Sequence, residues 1–292
     1  MERQQDISKR NSGKFVNVSF QTAINDQNGE KMVRVKGRVH YKEKGQGPVL
    51  LLLHDVAQTN DIFKYIMPKL AQDFRVIAPD LLGHGLSDCP DIDYLVEDYS
   101  LYLEAFIKAL GLENINILAC GQSCAYAVDY CWYNQQNIEK MIFINPGSFS
   151  DLKLGMATKI NSFYGGMIMK LFRNENFVRK MFEKAFFDKT ALRDSYIKAF
   201  CRPYENPDVQ YSVRAAIANF DDSNAIRLLD NIYKPILYLS GNEDLISNRH
   251  TSNLYLNSSA VPYDMVIRNC GALPHLEKIE NSAMGILRFL SE

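Results

Sequence analysis

The stretch Ile117-Leu-Ala-Cys-Gly-Gln-Ser-Cys-Ala125 passes from an apolar run into a helical pattern within a few residues. A sharp strand-to-helix turn needs small residues, because the flanking chain passes close by, and Gly121 and Ala125 flank Ser123 at the right spacing. We predict that Ser123 projects its hydroxyl above a sheet as a nucleophile. The backbone N–H of Cys124 would then face an oxyanion from a helix N-terminus. The alternative is that Ser123 serves only as a helix N-cap.

Apolar runs of the same kind recur along the chain, and helical stretches separate them. Such runs are typical of strands buried on both faces of a sheet. They lie at residues 48–54, 74–80, 115–120, 140–146, 234–241 and 264–270. The alternation predicts an α/β fold with a mostly parallel, doubly wound sheet and helices on both faces. Ahead of the runs, residues 15–46 mix apolar and polar positions and predict antiparallel strands.

The alternation stops once, in a segment rich in aromatic residues. Residues 151–220 contain 12 aromatic residues and 4 Met, and carry 12 Lys or Arg against 7 Asp or Glu. We interpret residues 150–223 as a helical cap over the carboxyl ends of the strands, where such sheets bind ligands. Residues 1–149 and 224–292 would form the core. The aromatic residues would either pack the cap or line a mostly apolar pocket.

Composition excludes several classes of protein. Lys plus Arg (33) nearly balances Asp plus Glu (34), so no overall field favours nucleic acid or an anionic membrane. Six cysteines form no CxxC pair and no zinc-ligand spacing, and we see no nucleotide motif, so no metal or cofactor is expected. The polar first residues do not look like a secretory signal, and the apolar runs are too short to span a membrane. We therefore expect a reduced, cytoplasmic protein with a small-molecule partner; its oligomeric state is left open.

Four further segments carry a resemblance to a known family. They are His54 after the first apolar run, DLLGHGLSD at 80–88, KPILYLSGNED at 234–244 and NCGALPHLEK at 269–278. In this order they resemble the α/β-hydrolase fold superfamily, in its cap-bearing small-molecule branch. The resemblance implies that Asp244 is the catalytic acid and that His54 belongs to the oxyanion loop. It also implies that the N–H of Val56 is an oxyanion donor.

Two residues depart from the family pattern. The catalytic histidine of the family is replaced by Ala272, so no imidazole is available there to take the nucleophile's proton. His275 is the low-ranking alternative base. Asp55 stands where the family usually has glycine, and its carboxylate would oppose an oxyanion unless it is turned away or paired, or it simply keeps the turn.

The sequence leaves three functional hypotheses. The first is a serine hydrolase that acts on an ester, thioester, lactone or carbon–carbon bond through Ser123 and Asp244, and that is silenced by Ala272. A serine at this turn, rather than an aspartate, favours acyl chemistry over dehalogenase or epoxide hydrolase chemistry. The second is a non-catalytic pseudoenzyme that binds a small molecule or a protein. The third is a lyase or cyclase that needs no imidazole.

Overall fold

The computed structural model describes residues 13–26, 29–147, 149–152, 159–160 and 164–292, and its centre is one eight-stranded sheet. The strands follow the order β1-β2-β4-β3-β5-β6-β7-β8 across the sheet. Their bounds are β1 Lys14–Asp26, β2 Gly29–Lys44, β3 Val49–Leu53, β4 Arg75–Pro79, β5 Ile115–Cys120, β6 Ile138–Ile144, β7 Ile236–Gly241 and β8 Pro262–Ile267.

The middle of the sheet is parallel and buried on both faces. Every residue of β3 and of β5 is buried, and the two strands pair in parallel from Leu50 opposite Asn116 to Leu53 opposite Ala119. A strand buried on both faces needs apolar side chains at every position, which explains the continuous runs in the sequence. The predicted mostly parallel α/β sheet is confirmed.

The first two strands form a long antiparallel hairpin that joins the sheet through β4. β1 pairs with β2 along its whole length, and the end of β2 pairs antiparallel with β4, with Tyr41 opposite Pro79. The predicted antiparallel segment at residues 15–46 is therefore present. From β4 to β8 all neighbouring strands run parallel.

Helices cover the sheet and fill the connection between β6 and β7. Their bounds are α1 Met67–Leu70, α2 Val96–Ala109, α3 Ser123–Tyr133, α4 Gly165–Leu171, α5 Glu175–Ala185, α6 Asp194–Cys201, α7 Pro207–Ala218, α8 Ser223–Leu228, α9 Arg249–Ser258, α10 Pro274–Glu277 and α11 Ile279–Ser291. None of the helices in the described ranges is both long enough and apolar enough to cross a bilayer.

Helices α4 to α7 lie where the cap is predicted, and α8 begins at the last residue of that segment, Ser223. The described residues between β6 and β7 form helices and turns and contain no strand. Residues 148, 153–158 and 161–163 of the segment, like residues 1–12 of the predicted core, lie outside the described residues. Phe172 is buried against Phe200 and Tyr204, with ring centroids 5.3 and 5.1 Å away, so part of the aromatic stripe packs the segment itself. The domain boundaries stay a prediction.

The last predicted strand differs from expectation. β8 spans Pro262–Ile267 at the edge of the sheet, and only Ile267 in it is fully buried. Tyr263 and Val266 are about half exposed. The apolar run at 264–270 is therefore not a strand buried on both faces, because β8 has a neighbour on one side only.

The central strand predicts a large loss of stability on truncation. Leu118 in β5 has no exposed surface, so Leu118→Ala leaves a cavity that the surrounding strands cannot close. We expect the free energy of unfolding, measured by urea denaturation, to fall by about 2–5 kcal/mol. Tyr133→Ala, at a side chain 71% exposed at the end of α3, should change it by less than about 0.5 kcal/mol. Similar losses for the two variants would contradict this assignment of the core.

Candidate functional site

The sharp turn after β5 is made by Gly121. Its φ is +55°, in the left-handed region that costs a side-chain-bearing residue free energy. Ser123, two residues later, already begins α3 and is not among the described residues with positive φ. The strained position between strand and helix is thus occupied by a residue without a side chain.

Ser123 points into the protein. It is completely buried, and its Oγ donates a hydrogen bond of 2.5 Å to the carbonyl oxygen of His54. The N–H of Cys124 donates to the carbonyl oxygen of Gly121 at 3.2 Å, and its Sγ lies 3.4 Å from the carbonyl oxygen of Ala119. Both residues are absent from the described residues that line the cavity above the sheet.

These contacts correct two expectations for this turn. We expected Ser123 to project above the sheet and the N–H of Cys124 to face an oxyanion. The turn instead forms two residues earlier, because glycine takes a left-handed conformation at little cost, and this puts Ser123 inside the first helical turn. The N–H of Cys124 is used within that turn.

Two backbone N–H groups converge beside Gly121, and one carboxylate oxygen accepts from both. Oδ1 of Asp55 lies 2.7 Å from the nitrogen of Val56 and 2.9 Å from the nitrogen of Gln122. A Cβ added at Gly121 would overlap the carboxyl group of Asp55. The carboxylate therefore fills the space that a side chain at the turn would take, and the pair of N–H groups is occupied.

The environment of Asp55 favours its protonated form. Burial raises the pKa of this carboxyl group from 3.8 to about 7, and outweighs the bonds from Gln122 and Val56, which lower it. A carboxylate in low dielectric loses its hydration, and two hydrogen bonds replace only part of that loss. Asp55 thus takes up a proton at a higher pH than a carboxyl group in water does.

His54 fixes the loop that carries Asp55. It is buried, its Nδ1 donates to the carbonyl oxygen of Asp55 at 2.8 Å, and its Nε2 accepts from the N–H of Leu81 at 3.0 Å. Burial lowers the pKa of its imidazole, so the ring is neutral. His54 therefore supports the loop after β3 and is not among the described residues that line the cavity. Its place in an oxyanion loop stays a prediction.

The predicted acid, Asp244, and Ala272 make different contacts, although their loops are joined by the hydrogen bond from the N–H of Glu243 to the carbonyl oxygen of Cys270. Oδ1 of Asp244 accepts from the N–H groups of Ile246 and Ser247, at 3.0 and 2.9 Å, which holds the loop after β7. Asp244 is not among the described lining residues of the cavity beside Gly121, whereas Ala272 is. The N–H of Ala272 donates to the carbonyl oxygen of Ala185 in α5, at 2.8 Å.

His275 lines the cavity but is a weak base. It is 1% exposed, and neither ring nitrogen has a partner among the described residues. Burial lowers the pKa of its imidazole to about 3. Because a general base works best with a pKa near the working pH, this ring is poorly suited to act as a general base.

The cavity lies between the carboxyl ends of the strands and the helices of the predicted cap. Its volume is about 70 Å³, and it is partly open to solvent. Its apolar lining residues are Val56, Ile144, Pro146, Phe149, Leu152, Met181, Phe182, Ala185, Phe200, Ile246, Ala272 and Leu273. Within the described ranges, no group of His, Cys, Asp and Glu has the arrangement of a metal site.

Sequence reasoning missed Gly121 as the turn residue and Gln122 as a donor. A signal was present, since Ala119 and Ser123 are small residues two positions before and after Gly121, the spacing that Gly121 and Ala125 have around Ser123. β5 ends at Cys120, so the turn falls at Gly121 and not at Ser123.

Asp55 generates a prediction about stability and pH. Its pKa is raised in the folded chain, from 3.8 to about 7, so the folded state binds this proton more tightly than the unfolded state. Its contribution to stability is present below about pH 4 and is lost as the pH rises to about 7. Asp55→Asn keeps an Oδ1 acceptor for both N–H groups and does not titrate. Relative to the wild type, its free energy of unfolding in urea should therefore rise between pH 4 and pH 7. A constant difference between the two proteins would show that Asp55 does not titrate in this window.

Comparisons with solved structures show the same fold. A serine hydrolase of carbazole degradation (the CarC enzyme) superposes with a TM-score of 0.73 at 18% identity, over 94% of this chain and 99% of that one. The carboxylesterase CesB of Bacillus subtilis gives 0.74 at 17% identity, over 93% and 91%.

Curated relatives match over a shorter segment. An uncharacterized protein of Mycobacterium tuberculosis is 33% identical over 107 residues, and a haloalkane dehalogenase of Mesorhizobium japonicum is 36% identical over 105 residues. These segments cover 37% and 36% of this chain, and 31% and 34% of the relatives' own length. The model of the alpha/beta hydrolase fold family matches residues 48–279, which is well over half of the chain and includes β3 to β8 and the whole cavity. The chain belongs to the alpha/beta hydrolase fold family.

Proposed function

We propose that this chain is a non-catalytic member of its family, which binds a small, mostly apolar molecule in the cavity and does not turn it over. One observation carries the proposal. Oδ1 of Asp55 occupies both N–H groups beside a turn residue, Gly121, that has no side chain. This reading corresponds to the second of the three hypotheses from the sequence.

The nucleophile is the first missing part. In this fold the nucleophile sits on the strained strand-to-helix turn, where its side chain is exposed at the top of the sheet. That position is Gly121 here. Ser123 is buried, bonded to the carbonyl oxygen of His54, and outside the cavity, which argues against acyl chemistry through its hydroxyl.

The oxyanion hole is the second missing part. It is built from the N–H of the residue after the nucleophile and an N–H from the loop after β3. Counted from Gly121, these donors are Gln122 and Val56, and both already donate to Asp55. Loss of a single donor of this kind costs about 10²–10³ in turnover, and a carboxylate in the hole adds repulsion to a developing negative charge.

The base is the third missing part. Ala272 holds no imidazole, and the carboxylate of Asp244 is bonded to backbone N–H groups of its own loop. Removal of the nucleophile or the base from such a triad costs about 10⁶ in turnover on its own. Together these features argue against the hydrolase hypothesis, because no residue at this site supplies a nucleophile, an open oxyanion hole or a base.

The cavity supports a binding role. Apolar walls with a few polar groups are typical of sites that bind small molecules. Phe149, Met181, Phe182 and Phe200 line one side of the space, and the carboxyl ends of the strands line the other. Hydrolase activity in the neighbours is a property of those proteins; the geometry of this site favours retention of the ligand without cleavage.

The proposal predicts inertness toward serine-directed chemistry. Neither the wild type nor Ala272→His should react with a fluorophosphonate or hydrolyse p-nitrophenyl esters above background, because an imidazole alone supplies neither nucleophile nor oxyanion hole. The triple variant Asp55→Gly, Gly121→Ser, Ala272→His should be labelled at position 121. Mass spectrometry of the adduct identifies the labelled residue.

Ser123→Ala is the matched control for this experiment. We expect it to behave like the wild type, and to leave the labelling of the triple variant unchanged when it is added. Labelling of Ser123 in the wild type or in Ala272→His, or ester turnover that Ser123→Ala abolishes, would refute the proposal and restore the serine hydrolase hypothesis.

The binding role itself makes a separate prediction. The neutral fluorophore N-phenyl-1-naphthylamine brightens in apolar surroundings and should bind the wild type. Ala185 lines the cavity, so Ala185→Leu should weaken this binding by about tenfold or more, since the added methylenes fill the space. Ala218→Leu, at an exposed position at the end of α7, should leave it unchanged. Equal affinities of the two variants would mean that the probe binds elsewhere.

A further inference from the structure

The acidic side chains are the only charged ones among the described residues that line the cavity. Asp55 and Asp151 line it, and no Lys or Arg is among its described lining residues. Thr251 approaches Asp151, with 3.4 Å between its Oγ1 and Oδ2. Apolar walls lower the local dielectric, so carboxylates attract a cation in such a space more strongly than in water and repel an anion.

Asp55 is a fixed acceptor with one oxygen unused. Oδ1 takes both N–H groups, and no donor from the described residues contacts Oδ2. An ionised carboxylate accepts about four hydrogen bonds, so two or more sites remain. The two backbone bonds hold the group in one orientation, which removes part of the entropy loss that a ligand would otherwise cause.

Buried polar atoms without partners form a second, independent observation. Both ring nitrogens of His275, which is 1% exposed, and Oγ of Ser247, which is 7% exposed, have no partner among the described residues. Both side chains line the same cavity as Asp55. Buried polar groups are nearly always paired, so these atoms point to polar groups of a ligand or to water.

The state of these groups indicates donors on the ligand. The imidazole of His275 is neutral, because burial lowers its pKa to about 3, so one ring nitrogen carries a lone pair that accepts. Ser247 accepts as well as donates, and its backbone N–H is already fixed by Asp244. An ammonium group has three N–H donors and no acceptor. The lone pair of His275 and the oxygen of Ser247 can accept from it beside Asp55, while the ring N–H and the hydroxyl remain as donors.

We propose that the cavity binds a small, mostly apolar amine in its protonated form, with the ammonium group donating to the second carboxylate oxygen of Asp55. Placement of a cation beside Asp55 lowers the pKa of its carboxyl group and so favours the ionised carboxylate. A ligand with a carboxylate or a developing oxyanion meets the opposite situation, because the two N–H groups are occupied and Asp55 repels it. The inference rests on the proposed function, since the amine is held and not converted.

Three probes of the same shape test the charge preference. Phenethylammonium, 2-phenylethanol and phenylacetate share the phenyl group and differ in the end group, and each is titrated as a competitor of bound N-phenyl-1-naphthylamine at pH 7.5. We expect phenethylammonium to bind the wild type about tenfold more tightly than 2-phenylethanol, and phenylacetate to bind most weakly.

The variant Asp55→Asn tests whether Asp55 causes the preference for the ammonium group. It keeps the Oδ1 acceptor, so it should bind the neutral fluorophore and 2-phenylethanol within about threefold of the wild type, while its affinity for phenethylammonium falls about tenfold or more. Asp194→Asn, at a side chain 74% exposed on α6, is the matched control and should change none of these affinities.

The outcomes separate this inference from the proposed function. Equal binding of phenethylammonium and phenylacetate by the wild type, or an unchanged affinity of Asp55→Asn for phenethylammonium, overturns the inference, while fluorophore binding without labelling leaves the proposed function standing. Labelling or turnover by the wild type overturns the proposed function, whatever the order of the three probes. The wild-type series is decisive even if Asp55→Asn folds poorly.

Discussion

The hydrogen bonds from Val56 and Gln122 to one carboxylate oxygen of Asp55 join two loops that the sheet brings side by side. β3 and β5 are neighbouring parallel strands, so the loops at their carboxyl ends meet at the same edge. The bonded carboxyl group leaves no room for a Cβ at position 121. Gly121 and Asp55 are therefore one physical unit. Any side chain at the turn displaces the carboxylate, and removal of the carboxylate leaves two backbone donors without their partner.

The rest of the site is arranged around this junction. His54 holds the first loop through its bonds to the carbonyl oxygen of Asp55 and the N–H of Leu81, and it accepts the hydroxyl of Ser123 on its own carbonyl oxygen. Ser123, the only hydroxyl of the turn, thus serves to bind the start of α3 to the loop after β3. The helices between β6 and β7 cover the space with apolar side chains, and the junction is one of several polar features of the cavity, beside Gln58, Asn145 and Ser247.

Much of the fold and part of the site could be predicted from sequence, because burial on both faces of a strand demands apolar residues at every position. The six apolar runs identify the parallel strands, and the assignment of Ala272 to the position of the family's catalytic histidine stays a prediction. The prediction that the turn lies at Ser123 was wrong. Small residues flank both Gly121 and Ser123, and residue size alone does not show which of them has a positive φ. The sequence shows that Asp55 departs from the family pattern. The direction of its side chain depends on Gln122, which lies 67 residues away in the chain. How much of β8 is buried depends on its place at the edge of the sheet. One apolar run in the sequence does not indicate that place.

The substitutions at this site change its polarity as well as its reactivity. In the parent arrangement two N–H donors face the space where a negative charge develops, and a nucleophile and an imidazole stand beside them. Here the donors are covered by Asp55, so the group that the ligand meets is an acceptor, and Gly121 and Ala272 leave space where a hydroxyl and an imidazole would be. A site that had only lost its base would still present donors to a carbonyl oxygen. This site presents a carboxylate to a largely apolar cavity. It therefore favours a ligand that donates hydrogen bonds, whereas the parent arrangement of donors favours a ligand that accepts them.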